Sequence, residues 1–183
     1  MRNSLMGLVL VGLLFAVPAL AAEAPRGDAK FIKGAAEGNL AEVKLGELAQ
    51  QRAASDAVKE FGKRMATDHQ KAYDELKQIA DSKGLKVPTE PDSRTKKEYD
   101  RLAKTSGADF DRAYMDLMVR EHDRDVKAFQ RAAKNEKDPQ VWAAKTLPTL
   151  QEHQKLAKDT DSHVRTARKE RGTPSASPGR TQK

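Results

Sequence analysis

Cysteine is absent from this 183-residue chain. No disulfide can staple the fold, and no thiolate can serve as nucleophile or metal ligand. No cysteine is present to carry a lipid behind a leader. Aromatics are few, at 5%, and the single tryptophan, Trp142, reads as a packing anchor rather than a substrate platform. No Gly-rich phosphate loop and no nucleophile elbow occurs. Glu-x-x-His is missing too. The residues three before the four histidines are Ala66, Val119, Leu150 and Thr160. Carboxylate-bridged di-iron chemistry, which needs that pair on facing helices, is therefore disfavoured.

Only one stretch is long and uncharged, Asn3–Ala22. Arg2 precedes it, an apolar run spans about Leu5 to Val17, Pro18 interrupts it, and Ala19 and Ala21 form a small-residue cleavage site. This pattern predicts a signal peptide over residues 1–21, with an uncleaved anchor as the alternative. The net charge of +7 is unevenly placed. Residues 165–183, "RTARKERGTPSASPGRTQK", hold six cations against Glu170, so the body is nearly neutral. That tail has no apolar periodicity and is expected to be a disordered, solubilising extension. Weak contact with an anionic membrane surface is its alternative role. Nucleic acid is not an expected partner of an exported protein.

Between a short linker, 22–27, and the tail, residues 28–164 carry apolar residues at helical spacing. Helix one is predicted from Asp28, as N-cap, to Arg52, with Phe31, Ala35, Leu45 and Ala49 on its inner stripe. Its Gly34, Gly38 and Gly46 are expected to permit close helix approach. Ser55 is a second N-cap candidate, and Val58, Phe61, Met65, His69, Ala72, Leu76 and Ile79 follow at three- and four-residue steps until Gly84 ends the helix. A proline-bearing crossover follows, with a short helix in "RTKKEYDRLAKT". Helix three runs from "SGADF" towards Asn135. Helix four starts at Asp138–Pro139 and contains Pro148, where a kink is expected near 144–147. The fold class is all-α, an antiparallel four-helix bundle with a short extra helix between helices two and three. Helices two and four are expected to run parallel, with helix three opposed.

His69, His122 and His153 each fall on the apolar face of a different helix. Each lies about fourteen residues, or about 21 Å, from its helix start. Glu42 holds the same depth in helix one. Three imidazoles and a carboxylate at one height form a constellation with two readings, beside a third in which the register differs and one or more of the histidines face solvent. In the favoured one the four groups hydrogen-bond one another across the core and fix register. In the alternative they hold a transition metal, Zn, Fe or Cu. Asp125, one turn after His122, reads as a solvated neighbour, with orientation of the His122 ring as its alternative, and His163 with Asp159 reads as a surface pair.

Four segments, "AAEGNLAEVKLGELA" at 35–49, "VKEFGKRMATDHQKAYDELKQIA" at 58–80, "SGADFDRAYMDLMVREHDRDVKAFQRAA" at 106–133 and "WAAKTLPTLQEHQKLA" at 142–157, resemble a bacterial domain-of-unknown-function family, number four-one-four-two. The resemblance implies a ferritin-like, exported protein of the periplasm or outer membrane. It implies histidines at 69, 122 and 153 and a glutamate at 42, and it implies no particular activity or ligand. The expected role is non-enzymatic, in binding or in an envelope stress response.

Overall fold

The structure, a computed structural model, describes residues 26–134 and 138–172. The expected leader, 1–21, and the tail beyond Gly172 lie outside the described residues. Those described form five helices and no strand: α1 (Arg26–Arg52), α2 (Asp56–Ser82), α3 (Ser93–Leu102), α4 (Gly107–Ala132) and α5 (Asp138–Gly172). None of them is long and apolar enough to cross a membrane.

The helix ends follow local chemistry. Ser55 is extended at the start of α2, but its side chain makes no cap bond. Asp111 of α4 caps that turn instead, accepting from the backbone N–H of Ala54 and Ser55 at 3.0 and 2.9 Å. Gly84, at φ +65°, ends α2. Leu85 N–H reaches Ala80 O and Gly84 N–H reaches Asp81 O, which closes the last carbonyls in a Schellman arrangement. Asp92 caps the short α3 by accepting from Thr95 N–H at 2.8 Å.

Several expected boundaries move. Arg26 and Gly27, placed in the linker, belong to α1, so Asp28 is not its N-cap. Asp28 is buried and accepts from Gln140 Nε2. At the other end α5 continues over 165–172, which were expected in the disordered tail. Arg165 pairs with Asp161 and Asp116, and Arg168 with Asp109, so charge pairs lay this turn against α4. Helix α5 also runs unbroken through Pro148, which is exposed.

Contacts set the helix directions. Asn39 meets His69, and Gly46 meets Gly62, so α1 and α2 are antiparallel. Asp109 meets Arg168, Asp123 meets Lys158 and Phe129 meets Trp142, so α4 and α5 are antiparallel. Asp68 meets His153 and Glu75 meets Lys145, so α2 and α5 are antiparallel as well. The expected parallel run of helices two and four is thus corrected: α2 and α4 run together, and α5 opposes both. The connection over 83–106 makes this possible by returning along the molecule. Leu85 and Val87 pack beside the end of α2, while Leu102 packs with Val58 and Phe61 at its start.

The apolar core falls into two clusters. One gathers Leu45, Leu48, Ala49, Phe61, Met65, Tyr114 and Met118. The other gathers Ile32, Ala36, Tyr73, Leu76, Val126, Phe129 and Trp142. Between them each long helix changes character for one turn. Helix α2 reads Met65, His69, Tyr73; α4 reads Met118, His122, Val126; α5 reads Leu150, His153, Ala157; and α1 places Asn39 and Glu42 between Ala36 and Leu45. A buried polar layer crosses the core at its waist.

Candidate metal centre

His69, His122 and His153 are 4%, 1% and 1% exposed. Their ring centroids stand 5.3 to 5.8 Å apart. One nitrogen from each ring lies within 4.8 Å of the other two. Three helices that share few sequence-local contacts thus deliver three imidazoles to one point. The direction of each helix mattered little, because the middle of a helix is level from either end.

Hydrogen bonds fix the tautomers. Met118 O is a carbonyl, so His122 Nδ1, at 2.9 Å, must donate to it. Asn39 Nδ2 donates to Ala35 O, which turns Asn39 Oδ1 towards His69 as an acceptor. His69 Nδ1 therefore donates, at 2.9 Å. His153 Nε2 donates to the Asp68 carboxylate at 2.8 Å. Arg64 holds that carboxylate from outside at 3.3 Å and also pairs with Glu152. Each ring has spent its one N–H on an acceptor that faces away from the group. What remains is a lone pair on His69 Nε2, His122 Nε2 and His153 Nδ1, and these three buried nitrogens have no hydrogen-bond partner among the described residues.

That finding corrects the favoured network. Three acceptors cannot bond one another without a proton between them, and the three rings do not. Burial also holds them neutral. It pushes His69 well below the usual imidazole range, with the neighbouring rings adding to the effect. His122 is lowered by burial to about 4, against a partial lift from the Met118 carbonyl. His153 is lowered by burial despite Asp68.

Glu42 is buried but does not join the group. Burial raises its carboxyl well above the usual range, and Asp125 and Glu121 raise it further. Its Oε2 has no hydrogen-bond partner among the described residues. Asp125 does not orient His122, since Met118 O takes that bond; it pairs with Arg124. His163 is exposed, and Asp159 pairs with Lys155 rather than with it. Trp142 packs among Phe31 and Phe129, as expected of an anchor.

Asn39 and Asp68 are the residues that sequence reasoning missed. Asn39 stood on the buried stripe of α1, where a poor helix former is a signal. Asp68 precedes His69 and diverges from it by about 100°, so it cannot serve its neighbour. It serves His153 across the α2–α5 interface instead, a pairing that no local spacing encodes.

No curated protein and no solved structure matches the chain. A family described as a domain of unknown function (DUF4142) matches residues 16–160, and the chain belongs to that family.

Proposed function

We propose that this protein is an exported envelope protein, a ferritin-like antiparallel four-helix bundle, that holds one transition-metal ion on His69, His122 and His153. Its role is binding, in metal handling or a stress response, rather than catalysis. One observation carries the reading: three buried imidazoles each spend their N–H on an acceptor outside the group and each keep an unpartnered nitrogen, and the three rings offer nitrogens within 4.8 Å of one another. A histidine that binds a metal usually donates its other ring N–H to such an acceptor, which fixes the ring and its tautomer. A purely structural cluster has no comparable rationale. Each orphaned buried acceptor costs about 1–3 kcal/mol, and an apolar residue would remove that cost.

The donor set bears on the ion. Three imidazoles without thiolate or carboxylate suit Zn or Cu better than Mg, Ca or Mn, and Fe sites more often add a carboxylate. Around an ion with bonds near 2.0–2.1 Å the nitrogens stand about 3.4 Å apart, so modest ring rotations complete the site. Export is supported by the Arg2 and Leu5–Val17 pattern and the Ala19/Ala21 site. The bundle is supported by the two antiparallel hairpins and the long return between them.

Equilibrium dialysis against Zn, Cu and Fe, followed by elemental analysis, tests the site. The expected result is one ion per chain, lost in His122→Ala and retained in Glu42→Gln. Substoichiometric metal under all three conditions, with the wild-type fold intact by circular dichroism, would sink the proposal. So would full metal retention in His122→Ala.

A further inference from the structure

A cleft of about 440 Å³ lies against the histidines, with His69 and His153 in its wall. Phe31, Ala35, Phe129 and Leu150 make its sides largely apolar. Along α1 it is bounded by Gly34 and Gly38. A Cβ built at either glycine would meet nothing within 4 Å. The expectation that Gly34 and Gly38 permit close helix approach is therefore corrected: they leave space. Each costs α1 about 1 kcal/mol of helix propensity relative to alanine, so the open face is maintained against the helix's own preference. The size falls in the range of small-molecule sites.

Charge narrows the ligand. Imidazole is a neutral ligand, and no carboxylate among the described residues belongs to the group. A divalent ion held by three neutral donors keeps its full charge in a buried site, which is costly unless an anion balances it. Lys30 lines the same cleft, as does Arg124, which is paired with Glu121 and Asp125. Its acids are already engaged, Asp68 by His153 and Arg64, and Asp125 by Arg124.

Resting on the metal reading, we infer that the open position of the ion accepts a small monocarboxylate, whose apolar body fills the cleft between α1 and α5 beside Gly34 and Gly38. The carboxylate completes the ion's coordination and neutralises part of its charge. Phe31, Phe129 and Leu150 shield the body from water.

Cobalt(II) is the probe, because its visible spectrum reports ligand exchange. The full chain is first loaded and its cobalt content measured, which tests the metal reading separately. Benzoate is then titrated, with azide as an anion that does not need the cleft and benzyl alcohol as the uncharged analogue. Benzoate is expected to shift the cobalt spectrum saturably, and benzyl alcohol is not. In a Gly34→Leu/Gly38→Leu variant that keeps one cobalt per chain and its azide response, benzoate affinity should fall at least tenfold. A bound cobalt whose spectrum ignores benzoate would overturn the inference and leave the metal reading standing. Equal responses to benzoate and benzyl alcohol, or unchanged benzoate affinity in the double variant, would also overturn it. Failure to bind cobalt would remove the metal reading and this inference with it.

Discussion

Gly46 and Gly38 sit on the same helix, two turns apart, and do opposite things. At Gly46 a Cβ would stand 2.4 Å from Gly62 O and 2.9 Å from Ala66 N. At Gly38 it would meet nothing. The first glycine lets α1 and α2 touch backbone to backbone, in the half of the core that holds Phe61, Met65, Tyr114 and Met118. The second leaves the other half incompletely filled, beside a cleft and the histidines. One half is closed and rigidly specified. The other is built with room in it. The polar waist lies between them, where groups from four helices must be held in place without filling the space they face. Identical residues on one helix thus carry contrary roles, and only what stands opposite decides which.

The strongest way to break this contrast is Gly46→Ala. The clash is with backbone, which cannot rotate aside, so the hairpin must open. A loss of about 3 kcal/mol is expected, at the upper end of overpacking costs. For a domain of this size that lowers Tm by about 6–12 °C, readable by thermal circular dichroism. An unchanged Tm would show that the close crossing is not rigid.

Acid attacks the waist. The folded-state pKa of His122 is depressed, to about 4, against about 6.5 unfolded. The unfolded chain therefore takes up the proton first. Stability is intact above about 6.5 and is lost as pH falls from there towards 4. His69 and His153 act in the same sense. Between pH 8 and pH 5, metal-free wild type should lose about 2 kcal/mol more than His122→Gln, measured by urea midpoints at each pH. Glu42 runs the other way. Its raised pKa favours the fold below about 4.5, and that contribution is lost as pH rises through the folded value. Parallel pH profiles for wild type and His122→Gln would mean that the ring is charged or open to water in the folded state.

Gly38→Ala sharpens the contrast with the smallest effect. With nothing to strike, the methyl group should only raise helix propensity, a gain of about 1 kcal/mol. A raised urea midpoint in Gly38→Ala beside a lowered one in Gly46→Ala would separate the two halves by sign. Destabilisation at Gly38 would place a neighbour where the structure leaves space.

Much of this architecture could be read from residue spacing. The run from Val58 to Ile79 marks α2, Gly84 marks its end, and Tyr99 with Leu102 marks α3. These are local effects of period, cap and backbone freedom, and they act within a few residues. The three histidines share a depth for a related reason, since an offset that reaches mid-helix gives the same height from either end. Spacing could not show which way α5 lies relative to α2, because that depends on the crossover returning along the molecule. It could not show that Glu42 stands apart from the imidazoles, since rotation of α1 by part of a turn redirects a side chain without altering any interval.

Sequence alone therefore determined the helices, the polar waist and the three imidazoles within it, because periodicity and chain length act locally. Tertiary structure decided which nitrogen of each imidazole is engaged. Asn39, the Met118 carbonyl and Asp68 take the three N–H groups and leave three buried nitrogens without a partner among the described residues. Two of those acceptors reach across helix interfaces, and only packing sets that distance. The same packing made Gly46 a contact and Gly38 an opening.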